Sequence, residues 1–233
     1  KILSVDQWGD INWKSMTRAF RGCTNLKLNA KDAPDLKEVK DLSGMFEGAI
    51  RFNEPINHWN VSNVQNMSRL FKDAMLFNQR LDSWKVDSVT EMTGLFWGAS
   101  SFNQRIGNWN VSKVNNMSYM FWNAKAFNQE IGNWNVSRVN AMGAMFEGAI
   151  SFNQNVQKWN VSNVRIMTGM FMGAESFDQN LGRWKVDRAQ DLSNIFSFSG
   201  LSSENYESII LNWKRIPLFQ NGLGLGLLSV STY

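Results

Sequence analysis

The chain has 233 residues, of which 43% are hydrophobic and only 19% charged, so one continuous core is within reach. A net charge of +4 and a pI near 9.2 permit an acidic partner but do not demand nucleic acid, whose binding domains usually concentrate a basic stripe. The single cysteine, Cys23, excludes an intramolecular disulfide and a cysteine-built metal cage. No run of 18 apolar residues is available to span a membrane, and no signal peptide is expected. A first residue of Lys1 reads as a processed or excised N-terminus.

Residues 1–51 read as irregular N-terminal coils. Trp8, Trp13, Met16, Phe20 and Leu26 fit the template of the later repeats after a one-residue insertion. The next coil has Pro34 where a Trp belongs and recovers through Leu36, Val39, Leu42, Met45 and Phe46. Cys23 aligns with a small Ala of the later coils, which predicts a buried thiol.

Residues 52–198 hold six regular repeats of 25 residues. Phe recurs at 52, 77, 102, 127, 152 and 177, and Trp at 59, 84, 109, 134, 159 and 184. A fixed period in this range predicts a solenoid in which each coil contacts only its neighbours. Within residues 102–126, Trp109 and Val111 alternate with Asn108, Asn110 and Ser112, which predicts a short strand. Val114, Met117, Met120, Phe121 and Ala124 then form one apolar stripe, which predicts a helix of about ten residues. The column Ser62, Asp87, Ser112, Ser137, Ser162 and Asp187 is placed to cap that helix. The column Gly48, Asp73, Gly98, Asn123, Gly148 and Gly173 tolerates a left-handed residue at its end. Asn53, Asn78, Asn103, Asn128, Asn153 and Asp178 stack beside the Phe column, where they would satisfy turn backbone groups. The predicted fold is an α/β repeat solenoid: a leucine-rich-repeat-like right-handed coil with one short parallel strand and one short helix per 25 residues. It bends because strands stack at about 4.8 Å and helices at roughly 8–10 Å.

Residues 199–233 read as a C-terminal cap to the same single domain. Tyr206, Ile209, Ile210 and Trp213 predict an amphipathic helix, and the Gly-Leu tail from Leu218 to Tyr233 is expected to cover the last coil.

The repeat F-N-Q-x-I-G-N-W-N-V-S-x-V-x-x-M and the ending G-L-S-S-E-N-Y-E-S-I-I-L-N-W resemble the BspA-like leucine-rich-repeat surface proteins, in the branch with 25-residue mycoplasma-type repeats. The likeness runs over nearly the whole chain. It implies a secreted or surface-attached protein with an adhesion or host-interaction role.

Catalysis has no foothold in the residues. His58 is the only histidine and lies at a surface position. Asp87 and Asp187 share a column four coils apart, about 19 Å by strand spacing, against 5–9.5 Å for a working carboxylate pair. There is no phosphate loop and no metal-ligand spacing, so neither an enzyme nor a cofactor is expected.

Two surfaces are candidates for binding. Trp97 and Trp122 occupy the outermost position of adjacent coils, where other coils carry Glu47, Lys72, Glu147 and Met172. With Tyr119 they predict a solvated aromatic patch for a protein partner, with Met172 on the same row. The second is the strand face, with Asn110, Asn135 and Asn160 and, toward its C-terminal end, Lys158, Arg183 and Lys185, suited to a surface glycan or acidic groups. Asn60, Asn110, Asn135 and Asn160 stand in N-V-S sequons, and Asn66 and Asn116 in N-M-S, as glycan acceptors if the protein is eukaryotic and secreted. The expected function is non-catalytic protein binding as an extracellular or cell-surface recognition and adhesion protein. The alternative is a structural subunit docked into a larger multiprotein assembly. Nucleic acid and a membrane span are not expected.

Overall fold

A computed structural model describes residues 1–214; the Gly-Leu tail lies outside them. Successive 25-residue units stack in parallel, each joined to the next by a bridge in one column. Asp41 pairs with Asn66, Asn66 with Glu91, Glu91 with Asn116, Asn116 with Ala141, Ala141 with Ile166 and Ile166 with Asp191. At the N-terminal end a separate two-stranded parallel sheet is formed by β1 (Ser4–Val5) and β2 (Lys27–Leu28).

The expected helix is absent from the repeats, and so is the strand at Trp109–Val111. Among the described residues the one helix is α1, Ser203–Trp213. The segment from Met117 to Ala124 is instead a run of tight turns whose amide groups alternate between two partners. Met117, Tyr119, Phe121 and Asn123 donate to carbonyls of the next unit, at Ala141, Gly143, Met145 and Glu147, over 2.8–3.0 Å. Met120, Trp122 and Ala124 donate three residues back, to Met117, Tyr119 and Phe121. Every backbone donor in this segment is therefore satisfied without a helix, as a buried segment requires. The bridging residue precedes the turns, at Asn116, where the sequence pattern placed helix.

Two left-handed residues per unit make the alternation possible. The Gly48–Gly173 column is left-handed throughout, including Asp73 and Asn123 at φ 56° and 54°. It ends a turn rather than a helix. A second column, four residues earlier, is equally left-handed: Gly44, Arg69, Gly94, Tyr119, Ala144 and Gly169. A helix cannot accommodate positive φ in its interior, which is why the apolar stripe folds as turns. Without helices, the bending expected from unequal strand and helix spacing loses its cause.

The stripe still buries what it was expected to bury. Two columns of phenylalanine run through the stack, Phe46 to Phe196 and Phe52 to Phe177. Within a column, rings lie 5.4–6.1 Å apart and nearly parallel. The Trp column is buried, and its indole N–H groups reach back one unit: Trp84 donates to the Ile56 carbonyl, Trp109 to Leu81 and Trp134 to Ile106. Where Pro34 replaces a Trp, Trp8 crosses the vacancy and meets Trp59 edge-on at 5.4 Å. Cys23 is buried.

The asparagine column does more than close its own turn. Asn78, Asn103 and Asn128 each accept the backbone N–H of the residue 25 positions on and the side-chain amide of the Gln beyond it, at 2.9–3.0 Å. The ladder ends at Asp178. Its carboxylate takes the Ser202 N–H and hydroxyl and the Asn205 amide, fixing the start of α1 on the last unit. Ile209 and Trp213 are the buried face of that helix.

Candidate functional site

The left-handed column and the row three residues after it form one face. Tyr119 stacks on Trp97 at 5.5 Å, Trp97 lies 4.3 Å from Trp122, and Tyr119 lies 5.7 Å from Trp122. The structure therefore brings together three of the four expected contact residues. Met172 is separated from them by the unit carrying Glu147, and it joins no ring. The patch is also less solvated than expected: Tyr119 is 40% exposed, but Trp97 and Trp122 are half-buried. The reason is a ladder of neighbours that the sequence pattern did not reveal. Arg21 pairs with Glu47 at 3.3 Å, and Lys72 with Glu47 at 3.9 Å. Lys72 also sits 4.6 Å above the Trp97 ring, a cation–π contact. On the other side Trp122 faces the Glu147 carboxylate. Burial pushes the Glu147 carboxyl above its usual range, and the neighbouring Trp122 opposes that shift only in part. The rings thus lie between a cation and a partly desolvated carboxylate, each one unit away.

Tyr119 owes its exposure to backbone geometry. At φ 60° its side chain leaves the turn in a direction that Gly94 and Gly169 leave empty. An added methyl at Gly94 would lie 3.3 Å from the Trp97 ring, so the missing Cβ there gives that ring its room. The signal for this column was legible as Gly44, Gly94 and Gly169 standing in register, but Arg69, Tyr119 and Ala144 masked it.

The second face is a turn face, not a strand face. Asn110, Asn135, Asn160, Lys158, Arg183 and Lys185 are all exposed, while Trp109, Val111 and their repeats face inward, so the alternation holds without a strand. Asn110, Asn135 and Asn160 accept the N–H of Ser112, Ser137 and Ser162 at 3.2 Å. Those serines were expected to cap helices. With no helix to cap, the roles reverse and the asparagine two residues earlier closes the turn. Asn60 does the same for Ser62. These four sequon asparagines are exposed, whereas Asn66 and Asn116 are half-buried in the bridge column. His58 is exposed on the same face.

A polar groove of about 710 Å³ is lined by Asp82, Arg105, Gly107, Asn108, Gln129 and Glu130 among others. The adjacent Arg80 guanidinium, at 2.7 Å, holds the Asp82 carboxyl below its usual range. Among the described residues no three His, Cys, Asp or Glu side chains meet in a way that would hold a metal ion. No helix among them is long and apolar enough to cross a membrane.

Two overlapping stretches, residues 14–124 and 104–213, match the family described as "Mycoplasma protein of unknown function, DUF285". The chain belongs to this family. The matched residues take in the irregular start, the regular units and α1, so DUF285 membership covers the repeat as a whole. No curated protein and no solved structure was found to match the chain.

Proposed function

We propose that this DUF285 chain is a non-catalytic protein-binding module of the secreted or cell-surface recognition and adhesion kind, built as a solenoid of the BspA-like leucine-rich-repeat type. The unbroken 25-residue register of bridges from Asp41 to Asp191 supports the solenoid. The F-N-Q-x-I-G-N-W-N-V-S repeat supports the BspA-like kinship. The observation that carries the function is the Trp97, Tyr119 and Trp122 cluster, which follows directly on the Arg21–Glu47–Lys72 ion pairs of the same row. Aromatic anchors at the centre of an interface carry a large share of its energy. Flanking Lys72 and Glu147 would orient a partner with an apolar centre and complementary charges.

A photo-crosslinking amino acid at position 119 tests this against the surface-protein fraction of the source cell. The expected result is a discrete adduct that unlabelled protein competes away and that is missing when the probe sits at Glu207. Equal, non-competed labelling from both positions would remove the aromatic cluster as the contact site. Surface labelling of intact cells tests the localisation. Exposed Ile2, Leu3 and Ile11 favour a second reading, a subunit docked into a larger assembly. Stoichiometric co-elution with fixed partners from native extract would select that reading.

A further inference from the structure

The turn face changes character along the stack. In the first three regular units the outward segments 58–65, 83–90 and 108–115 carry only Lys85 and Lys113 as fixed cations. In the next three, segments 133–140, 158–165 and 183–190 carry Arg138, Lys158, Arg165, Arg183, Lys185 and Arg188, against one carboxylate, Asp187. All six cations are exposed. None takes part in an ion pair among the described residues, whose ion pairs all lie between Lys14 and Asp82. Arg188 is held only by the neutral Asn163 carbonyl, at 2.9 Å.

The neutral groups between these cations add to the same bias. Asn135 and Asn160 spend their side-chain oxygens on the Ser137 and Ser162 N–H groups. Their amide NH2 groups are left facing solvent beside the ammonium and guanidinium groups. Donors therefore dominate this surface, which suits anions over neutral hydroxyl-rich ligands. Lys158 and Arg183 share one column in adjacent units and Arg138 and Arg188 share another, and Arg165 and Lys185 lie between them, so the cations would follow a linear polyanion laid along the stack. The Trp residues of these segments are buried, so the face has none of the exposed rings on which a single-stranded nucleic acid stacks its bases.

We propose that this turn face, from Arg138 to Arg188, binds an acidic polysaccharide through sulfate or carboxylate groups. The site is independent of the aromatic cluster, so either can fail alone. The full chain is titrated with heparin, polygalacturonate, neutral dextran, poly(dT) and phosphatidylserine-containing vesicles. Heparin, polygalacturonate or both should bind in a salt-sensitive way, and which of them binds identifies the anion. Combined Lys158→Gln, Arg183→Gln and Lys185→Gln should weaken that binding about a hundredfold, at roughly fivefold per cation near an anionic surface, with thermal unfolding unchanged. Lys14→Gln, Lys27→Gln and Lys37→Gln remove the same charge elsewhere and should have little effect. Equal loss in the two triple variants, or equal binding of dextran, poly(dT) or vesicles, would overturn the proposal.

Discussion

Gly148 and Gly173 have the same left-handed backbone, both at φ 66°, but different ceilings. A methyl group at Gly173 would meet only the Gly148 backbone at 3.7 Å, an ordinary contact. At Gly148 it would run into the Asn123 carboxamide of the preceding unit. Gly173→Ala should therefore cost about 1–2 kcal/mol, the left-handed penalty alone, and Gly148→Ala clearly more. Chemical denaturation of the pair decides, and equal losses would mean that the Asn123 side chain moves aside freely. The tryptophans separate in the same way. Trp134 is buried and bonded to the Ile106 carbonyl, so Trp134→Ala should cost about 3–5 kcal/mol. Trp122 is half-buried and packed on Trp97, so Trp122→Ala should cost about 1–2 kcal/mol. A Trp122→Ala loss as large as that of Trp134→Ala would make the aromatic cluster core rather than surface.

At the scale of elements, the asparagine ladder and the helix it ends on are the parts most open to test. Asn128→Ala should cost about 1–3 kcal/mol, because two hydrogen bonds, from the Asn153 N–H and the Gln154 amide, lose their acceptor at roughly 0.5–1.5 kcal/mol each. Asp178 adds a pH dependence. Burial alone would raise its carboxyl, but the hydrogen bonds from Asn205 and Ser202 outweigh it and hold the group below its usual value of 3.8. A lowered folded-state pKa contributes stability that is full above the unfolded value and is lost as pH falls through the folded one. The docking of α1 should therefore weaken below about pH 4. Trp213 fluorescence or exchange of α1 amides would show it, and Asp178→Asn should abolish that part of the acid response. A wild-type acid transition unchanged in Asp178→Asn would refute the assignment. The same elements show what the sequence could say. The inward Phe, Trp, Val, Met and Ala positions, the asparagine column, the left-handed Gly/Asp/Asn column and α1 were legible, because each follows from period and residue type. The helix was misread because Val114, Met117, Met120, Phe121 and Ala124 obey helical spacing just as well when three-residue turns generate it. The deciding fact was the left-handed backbone at Arg69, Tyr119 and Ala144, and no side chain of those types announces it. On the candidate site, the exposed rows were legible, whereas the Lys72 and Glu147 contacts depend on long side chains crossing between units.

At the scale of the whole molecule, each unit holds the next through a bridge, a row of cross-unit amide bonds, two ring columns and the asparagine ladder, all in one register. The first unit confirms the rule by its offset. Arg18 donates to the Ser43 carbonyl, 25 residues on, whereas Arg69 donates to Thr93, 24 residues on, and the difference is the one-residue insertion. The register itself can be fixed covalently. Bridge partners lie about 5 Å apart between Cα atoms, within reach of a disulfide, and the sole native thiol, Cys23, is buried. Asn116→Cys combined with Ala141→Cys should oxidise to an intramolecular disulfide in nearly every molecule, with the fold unchanged. The same Asn116→Cys paired with Asn140→Cys, one position out of register, should stay reduced. Efficient closure of the 116–140 pair with failure of the 116–141 pair would contradict the 25-residue stacking on which this account stands.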